Sequence, residues 1–368
     1  MQIKLIKKCG WKKVYLNVLD KEYNIIRTIE ITIKNNEGIL DFNSNKDFFY
    51  YLSNEKNYKT EIVILSKNTS EVYLKYNRKK RRYYIYLNAT VDYYKNVESI
   101  ILKDEVNLFF RPDKSKKIDI LLPIDYDSNK KYGLLIMFDG QNLFDLETVN
   151  PYTDKNDPYG SWQVDKSMSM LRETLNKEFI VVGIEHTDYL RTNELITPSS
   201  FGKLRDDGLF SEEEKEGYID YLDNFINETL LPYIYSNYSI DKNMMGISGS
   251  SMGGLGCHYI GLKNLGKYHF ILCYTPATAL IVDSAWNKFY KKLNFKNNLE
   301  KLPIFYLFQG KGDDLEKILA FGNTNLISNL INNGYPKELI FKYIEPSAFH
   351  NEVAWRYAFN YMIYEIFK

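Results

Sequence analysis

Asn243–Gly256 reads NMMGISGSSMGGLG, and how this stretch folds decides how the rest of the chain is read. Only one frame in it gives G-x-S-x-G, with Gly249, Ser251 and Gly253 in register. Ser248 and Ser250 lack the flanking glycines. An apolar run leads into the pentapeptide and a run of small residues follows it, the strand–turn–helix setting of a nucleophile elbow. Such a turn forces the serine into a strained backbone conformation, and glycines two positions to either side let strand and helix approach. It raises the Ser251 hydroxyl at the tip of a sheet and aims the Met252 N–H at a developing oxyanion. The competing reading is a glycine-rich turn that cradles a phosphate at a helix N-terminus. No lysine follows as a P-loop requires, and no G-x-G-x-x-G opens the first strand–helix unit.

Working outward, compact apolar runs alternate with helical patterns after about residue 100. KIDILLPI (117–124), YGLLIMFD (132–139), EFIVVGIE (178–185), FILCYTP (270–276), PIFYLFQG (303–310) and LIFKYIEP (339–346) read as strands buried on both faces. Helices are expected over Val164–Lys177, Glu212–Ser236, Met252–Leu265, Leu315–Asn333 and Asn351–Phe367. The alternation predicts an α/β domain with a mostly parallel sheet and helices on both faces. Before residue 95 the pattern differs. Short segments such as KKVYLNVLD, IIRTIEITI, EVYLKY and YYIYLNATV are rich in Tyr, Val, Ile and Thr and are broken by Asn, Lys and Gly. They predict a small all-β unit, a sandwich, giving domains at 1–98 and 99–368. The basic run Arg78–Arg82 lies between two such strands and is expected to be a solvated hairpin turn, with a binding patch as the alternative. Trp11, Tyr15, Phe48, Phe49, Tyr50 and Tyr51 are candidates for a stacking surface, although core packing is the commoner fate of such side chains.

A serine hydroxyl needs a base, and only four histidines are present: His186, His258, His269 and His350. His258 lies on the helix after the elbow and is expected to pack against the sheet, and His269 precedes a strand. His186 follows a strand and is placed to line the rim of the site. His350 follows the last expected strand and opens the C-terminal helix, where α/β-hydrolases carry their base. The chain order of that fold puts the acid between serine and histidine, after the penultimate strand. PIFYLFQG runs there into KGDDLE, so Asp313 and Asp314 are candidates, with Glu316 third. One of the two aspartates is also the natural cap of the following helix.

The chain has 368 residues, with 48 basic against 47 acidic ones and a formal charge of +1. That balance gives no reason to expect nucleic acid or an anionic membrane as a partner. Cys9, Cys257 and Cys273 show no metal-ligand spacing, so no disulfide framework, metal or other cofactor is expected. MQIKLIKKCGWKK has no apolar run of signal-peptide length, and a cytoplasmic location is the expectation. Nothing in the sequence speaks to oligomeric state.

Taken together the motifs resemble the putative esterase family, which includes esterase D-like enzymes and enterobactin-type siderophore esterases. DGQNLFD (139–145), GSWQVD (160–165), RTNEL (191–195), GSSMGG around Ser251 and HNEVAW (350–355) occur in that family's order. The resemblance covers roughly residues 105–368 and implies the α/β-hydrolase fold and ester hydrolysis. It favours Asp313, which closes a G-x-x-D pattern begun at Gly310, over Asp314. It also implies that the backbone N–H of Gln141 is the second oxyanion donor beside Met252. Asp139 is expected to order the DGQN loop rather than to act in catalysis. Arg191 and Glu194 are candidates for substrate contact or for an internal ion pair that holds their loop. Trp162 and Trp355 are candidates for an aromatic wall of the substrate pocket or for packing alone.

The implied reaction is attack of Ser251 on an ester carbonyl while His350, oriented by Asp313, takes the proton, followed by hydrolysis of the acyl-enzyme. Siderophore lactones, acylated carbohydrates and other small esters are the candidate substrates. The alternatives are an acyltransferase that passes the acyl group to an alcohol, and a carbohydrate- or partner-binding protein with a vestigial hydrolase fold.

Overall fold

The β-rich start of the chain folds as two four-stranded sheets, seen in a computed structural model that describes residues 2–19, 25–41, 49–60, 63–64, 69–77, 82–89, 93–144, 161–202, 204, 216–346 and 348–368. Strands β1 (Gln2–Lys8), β2 (Val14–Leu19), β3 (Ile25–Ile31), β4 (Glu37–Asp41), β5 (Phe49–Ser53), β6 (Val63–Ile64), β7 (Thr69–Asn77) and β8 (Arg82–Ala89) supply them. One sheet has the order β4-β1-β7-β8 and the other β3-β2-β5-β6. Alternate residues such as Ile3, Leu5, Leu16, Val72 and Leu74 point between the sheets and make a dry core. Trp11, Tyr50 and Tyr51 are buried, so these three pack rather than present a stacking face. Tyr15 is half-buried, while Phe48 and the run Arg78–Arg81 lie outside the described residues.

The third sheet has eight strands. β9 (Tyr94–Lys103), β10 (Ser115–Pro123), β11 (Tyr132–Phe138), β12 (Phe179–Ile184), β13 (Ile240–Ser250), β14 (Phe270–Tyr274), β15 (Ile304–Gly310) and β16 (Ile340–Glu345) lie in the order β16-β15-β14-β13-β11-β12-β10-β9. The six strands from β11 onward are parallel, while β10 and β9 join antiparallel at one edge. β9 starts at Tyr94, so the large sheet claims residues on both sides of the boundary expected at 98.

Each central strand is apolar on both faces because each face meets helices. In β11, Leu134, Ile136 and Phe138 enter one core while Leu135 and Met137 enter the other. Helices α1 (Val164–Leu175) and α8 (Glu352–Phe367) cover the second of these cores. The first is covered by α3 (Ile219–Phe225), α4 (Leu231–Asn237), α5 (Ser251–Lys263), α6 (Asp283–Leu293) and α7 (Asp314–Asn332), with the short α2 (Arg191–Leu195) beside them. A π-helical turn, Ile226–Leu230, joins α3 to α4, so this helix begins after the expected Glu212. Helix α6 is an addition to the sequence reading; Ala285, Trp286 and Tyr290 form its buried face. Among the described residues no helix is long and apolar enough to cross a membrane.

Candidate active site

β13 ends at Ser250 and α5 begins at Ser251, with no loop between them. Ser251 takes φ 54°, the left-handed region that a non-glycine residue adopts only at a cost. The surrounding glycines are needed for space. A Cβ on Gly249 would stand 2.4 Å from the Gly253 carbonyl oxygen, and one on Gly253 would stand 3.0 Å from an Asp139 carboxylate oxygen. Ser248 is wholly buried and Ser250 nearly so, whereas Ser251 is half-exposed at the strand tip. The Met252 amide lies in the first turn of α5, where N–H groups have no carbonyl four residues back to bond.

Two strands away, β15 ends in Gln309-Gly310 and leads into α7. Asp313 is the N-cap of that helix: its Oδ1 accepts the Glu316 N–H at 2.8 Å. Its Oδ2 accepts the backbone N–H of His350 at 2.7 Å. The imidazole itself bonds elsewhere, since His350 Nδ1 lies 3.0 Å from Glu316 Oε1. Glu316 is fully buried, and its other oxygen accepts from Gln309 Nε2 at 2.7 Å and from the Gly310 N–H at 3.0 Å. The expectation of Asp313 as the ring's partner is therefore corrected: Asp313 holds the backbone of His350, and Glu316 holds its ring. The cause is local, since both Asp313 oxygens are already taken by backbone amides. Gly310 leaves the room, since a Cβ there would come within 2.9 Å of the Glu316 carboxyl carbon. Asp314, the alternative, points to solvent and pairs with Lys317 at 2.9 Å. A carboxylate on Nδ1 fixes the tautomer that leaves Nε2 as the proton acceptor.

The other three histidines have different surroundings. His258 is buried against Tyr290 Oη at 2.7 Å, and burial pushes its pKa down to about 3. His269 Nδ1 accepts the Met245 N–H at 3.3 Å. His186 is buried with Nε2 3.6 Å from Asp139, and burial outweighs that carboxylate to keep its pKa below the ordinary value.

The DGQN motif forms a tight turn after β11. Asp139 sits at φ 58° and a single 3-10 turn spans Gly140–Asn142. The Asp139 carboxylate meets Arg191 in a two-point pair, Nε to Oδ1 and Nη2 to Oδ2, both at 2.8 Å. Burial opposes ionisation of Asp139, but the guanidinium outweighs it and holds the carboxyl below its usual range. The pair ties the DGQN turn to the start of α2. Gln141 is buried in the turn and its Oε1 accepts the His186 N–H at 3.4 Å. Arg191 and Glu194 do not pair with each other. Glu194 is fully buried and instead binds Arg111 and Lys116, two cations that the sequence reading did not single out. Arg191 and Glu194 lie three apart on one face of α2, yet each is taken by its own partners, Asp139 for the first and Arg111 and Lys116 for the second.

Trp162 and Trp355 are 2% and 5% exposed, with ring centroids 5.9 Å apart. They pack rather than form an open wall, although Trp355 also stands edge-on to the His350 ring at 4.9 Å. Glu352 lies in the HNEVAW motif but was not among the candidate site residues. It lies in the first turn of α8, takes a 3.5 Å contact from Asn142 Nδ2, and burial raises its pKa to about 6.

A family model described as Putative esterase matches residues 111–366 of the chain. Solved structures of similar fold include the BES protein from Bacillus cereus, at 18% identity and TM-score 0.53 over 74% of this chain and 94% of that one. The siderophore hydrolase EstA from Aspergillus nidulans aligns at 14% identity and TM-score 0.53 over 74% of this chain and 95% of its own. A ferulic acid esterase aligns at 17% identity and TM-score 0.51, covering 74% of this chain and 98% of that one. These likenesses are of fold, an α/β-hydrolase-like sheet preceded here by a β sandwich.

Proposed function

The chain belongs to that esterase family and is an ester hydrolase, and from this premise we propose that it works through an acyl-enzyme on Ser251. His350 takes the serine proton through Nε2, and Glu316, on Nδ1, holds the ring and stabilises the imidazolium that forms. The Gln141 and Met252 N–H groups receive the oxyanion, and His350 returns its proton to the departing alcohol. Water then attacks the acyl-enzyme by the same route. The observation that carries this reading is the 3.0 Å contact between His350 Nδ1 and the buried Glu316, set at the sheet end where Ser251 takes its φ of 54°. Asp139 and Arg191 keep the oxyanion turn in shape, and Asp313 keeps His350 in place.

For the acyl group, the proposal is a siderophore lactone or an acylated carbohydrate. Proteins named as a siderophore hydrolase and a ferulic acid esterase share the fold, which supports testing both classes first. Location is proposed to be cytoplasmic. Labelling with a fluorophosphonate tests the mechanism. Wild type should be labelled and lose esterase activity, and Ser251→Ala should be neither labelled nor active. Equal labelling of both proteins would place the nucleophile elsewhere.

A further inference from the structure

Helix α8 begins two residues after His350 and is covered from two sides. Ala354, Trp355, Ala358, Phe359, Met362 and Ile363 face the large sheet. Val353, Tyr357, Tyr361 and Tyr364 follow at steps of four, four and three, one stripe along the helix. The first half of that stripe faces the N-terminal sandwich. Val353 and Tyr357 belong to the same buried cluster as Ile3, Leu5, Val72 and Leu74; further along, Tyr361 and Tyr364 pack on a cluster of Leu19, Tyr51 and the α1 residue Met170, and Tyr361 also stands 4.7 Å from Tyr343 of β16. Ile85 of β8 meets α8 here, lining a small cavity together with Arg356 and Tyr357.

The strand before His350 offers little support of its own. β16 is the outer strand of the sheet, bonded on one side only, and every one of its residues is partly or fully exposed. His350 is therefore fixed from behind by Asp313 and Glu316 and from ahead by the first turn of α8. Val353, in that first turn, and Tyr357, one turn on, pack against residues before 90.

We propose that the N-terminal β sandwich is a positioning element for the base: it holds the outer face of α8 through Val353 and Tyr357 and so fixes His350. This rests on His350 being the base, as proposed above. The sandwich is part of the catalytic apparatus, in contrast to a detachable substrate-binding module. Its core is closed by the helix whose start carries the imidazole.

The full-length chain with Ile85→Ala or Ile85→Val tests this, with kcat and KM for p-nitrophenyl acetate measured well below the unfolding temperature. A shift of the base of a fraction of an ångström lowers kcat with little change in substrate binding. Ile85→Ala should lose about tenfold or more in kcat with KM within about twofold, and Ile85→Val should fall between it and wild type. The fluorophosphonate labelling rate of Ser251 should drop in parallel. If Ile85→Ala does not fold, Ile85→Val decides by the same ratio. Two results overturn the proposal: unchanged kcat and labelling in variants with lowered Tm, or raised KM with unchanged kcat. Silent variants of an active wild type refute this proposal alone. A wild type that neither hydrolyses the ester nor is labelled refutes it together with the esterase mechanism.

Discussion

Replacing Glu316 by Gln while Asp313 is replaced by Asn in a parallel variant separates the two carboxylates near His350. Glu316→Gln keeps the size of the side chain and removes its charge. One Glu316 oxygen accepts from Gln309 and from the Gly310 N–H, at 2.7 and 3.0 Å, so the carbonyl of Gln would settle there. The amide NH₂ then faces His350 Nδ1, which must become an acceptor. The ring proton moves to Nε2, and the serine loses its base. A carboxylate-to-amide change at the equivalent position of a serine protease costs about 10⁴ in kcat, because the ring is held in the wrong tautomer. At about 1.4 kcal/mol per decade that is roughly 5 kcal/mol of transition-state stabilisation. Asp313→Asn loses one of two backbone contacts, the 2.8 Å cap or the 2.7 Å bond to the His350 N–H. Asn caps a helix about as well as Asp, so the cost is about 1 kcal/mol of stability and no more than about tenfold in kcat. Steady-state hydrolysis of p-nitrophenyl acetate, with labelling rates as a second readout, should separate the variants by at least about a hundredfold. If Asp313→Asn is the more damaged enzyme, the assignment of the ring partner is wrong.

Three further outcomes follow from burial and charge. Burial lifts the pKa of Glu352 from an ordinary 4.5 to about 6, so the fold favours the neutral acid. The resulting penalty is absent below pH 4.5, grows through pH 6 and is complete at neutral pH, where it reaches about 2 kcal/mol. Glu352→Gln should therefore stabilise the protein by about that amount at pH 7.5 and by almost nothing at pH 4, read from urea midpoints. Glu194→Ala leaves Arg111 and Lys116 buried without their shared carboxylate, and denaturant unfolding should show a loss of about 3–5 kcal/mol. Gly253→Ala sets a methyl 3.0 Å from Asp139 and 3.2 Å from Phe138, so either the oxyanion turn or the elbow must yield. A soluble protein with kcat down by about tenfold or more is expected; full activity would mean that the turn moves freely.

Ser251 was legible because the elbow is a local device. Strand, turn, glycines and helix all lie within fourteen residues, and each has its own steric reason. His350 was legible from its order along the chain. Which carboxylate meets its ring was not, because three carboxylates within one helical turn of each other differ only in which way they face. A signal was present: Asp313-x-x-Glu316 is the spacing of a capping box, which commits the first residue to the helix amides. In a closed box Glu316 would bond back to the Asp313 N–H; here it turns inward to the ring instead, and Glu has one more methylene than Asp with which to reach it. The Arg191–Asp139 pair joins residues 52 apart, and nothing in either motif announces the other. Glu194 looked like a partner for Arg191 by proximity, yet neighbours three apart on so short a helix were pulled to different sides by Arg111, Lys116 and Asp139.

The C-terminal helix shows a different limit. An amphipathic helix shows its buried face by a polar one opposite, and that contrast is what periodicity detects. Over Glu352–Asn360 every residue is buried, so α8 offers no such contrast. Its apolar and aromatic residues fall into two stripes only when two separate cores are known to exist, one from the large sheet and one from the sandwich. A helix buried all round, its polar Glu352, Arg356 and Asn360 included, has cover on both sides, and here the second cover is supplied by the start of the chain. Cutting the sandwich away would bare Val353 and Tyr357 to water, beginning three residues past His350. Whatever else the sandwich does, the base-bearing helix cannot be considered without it.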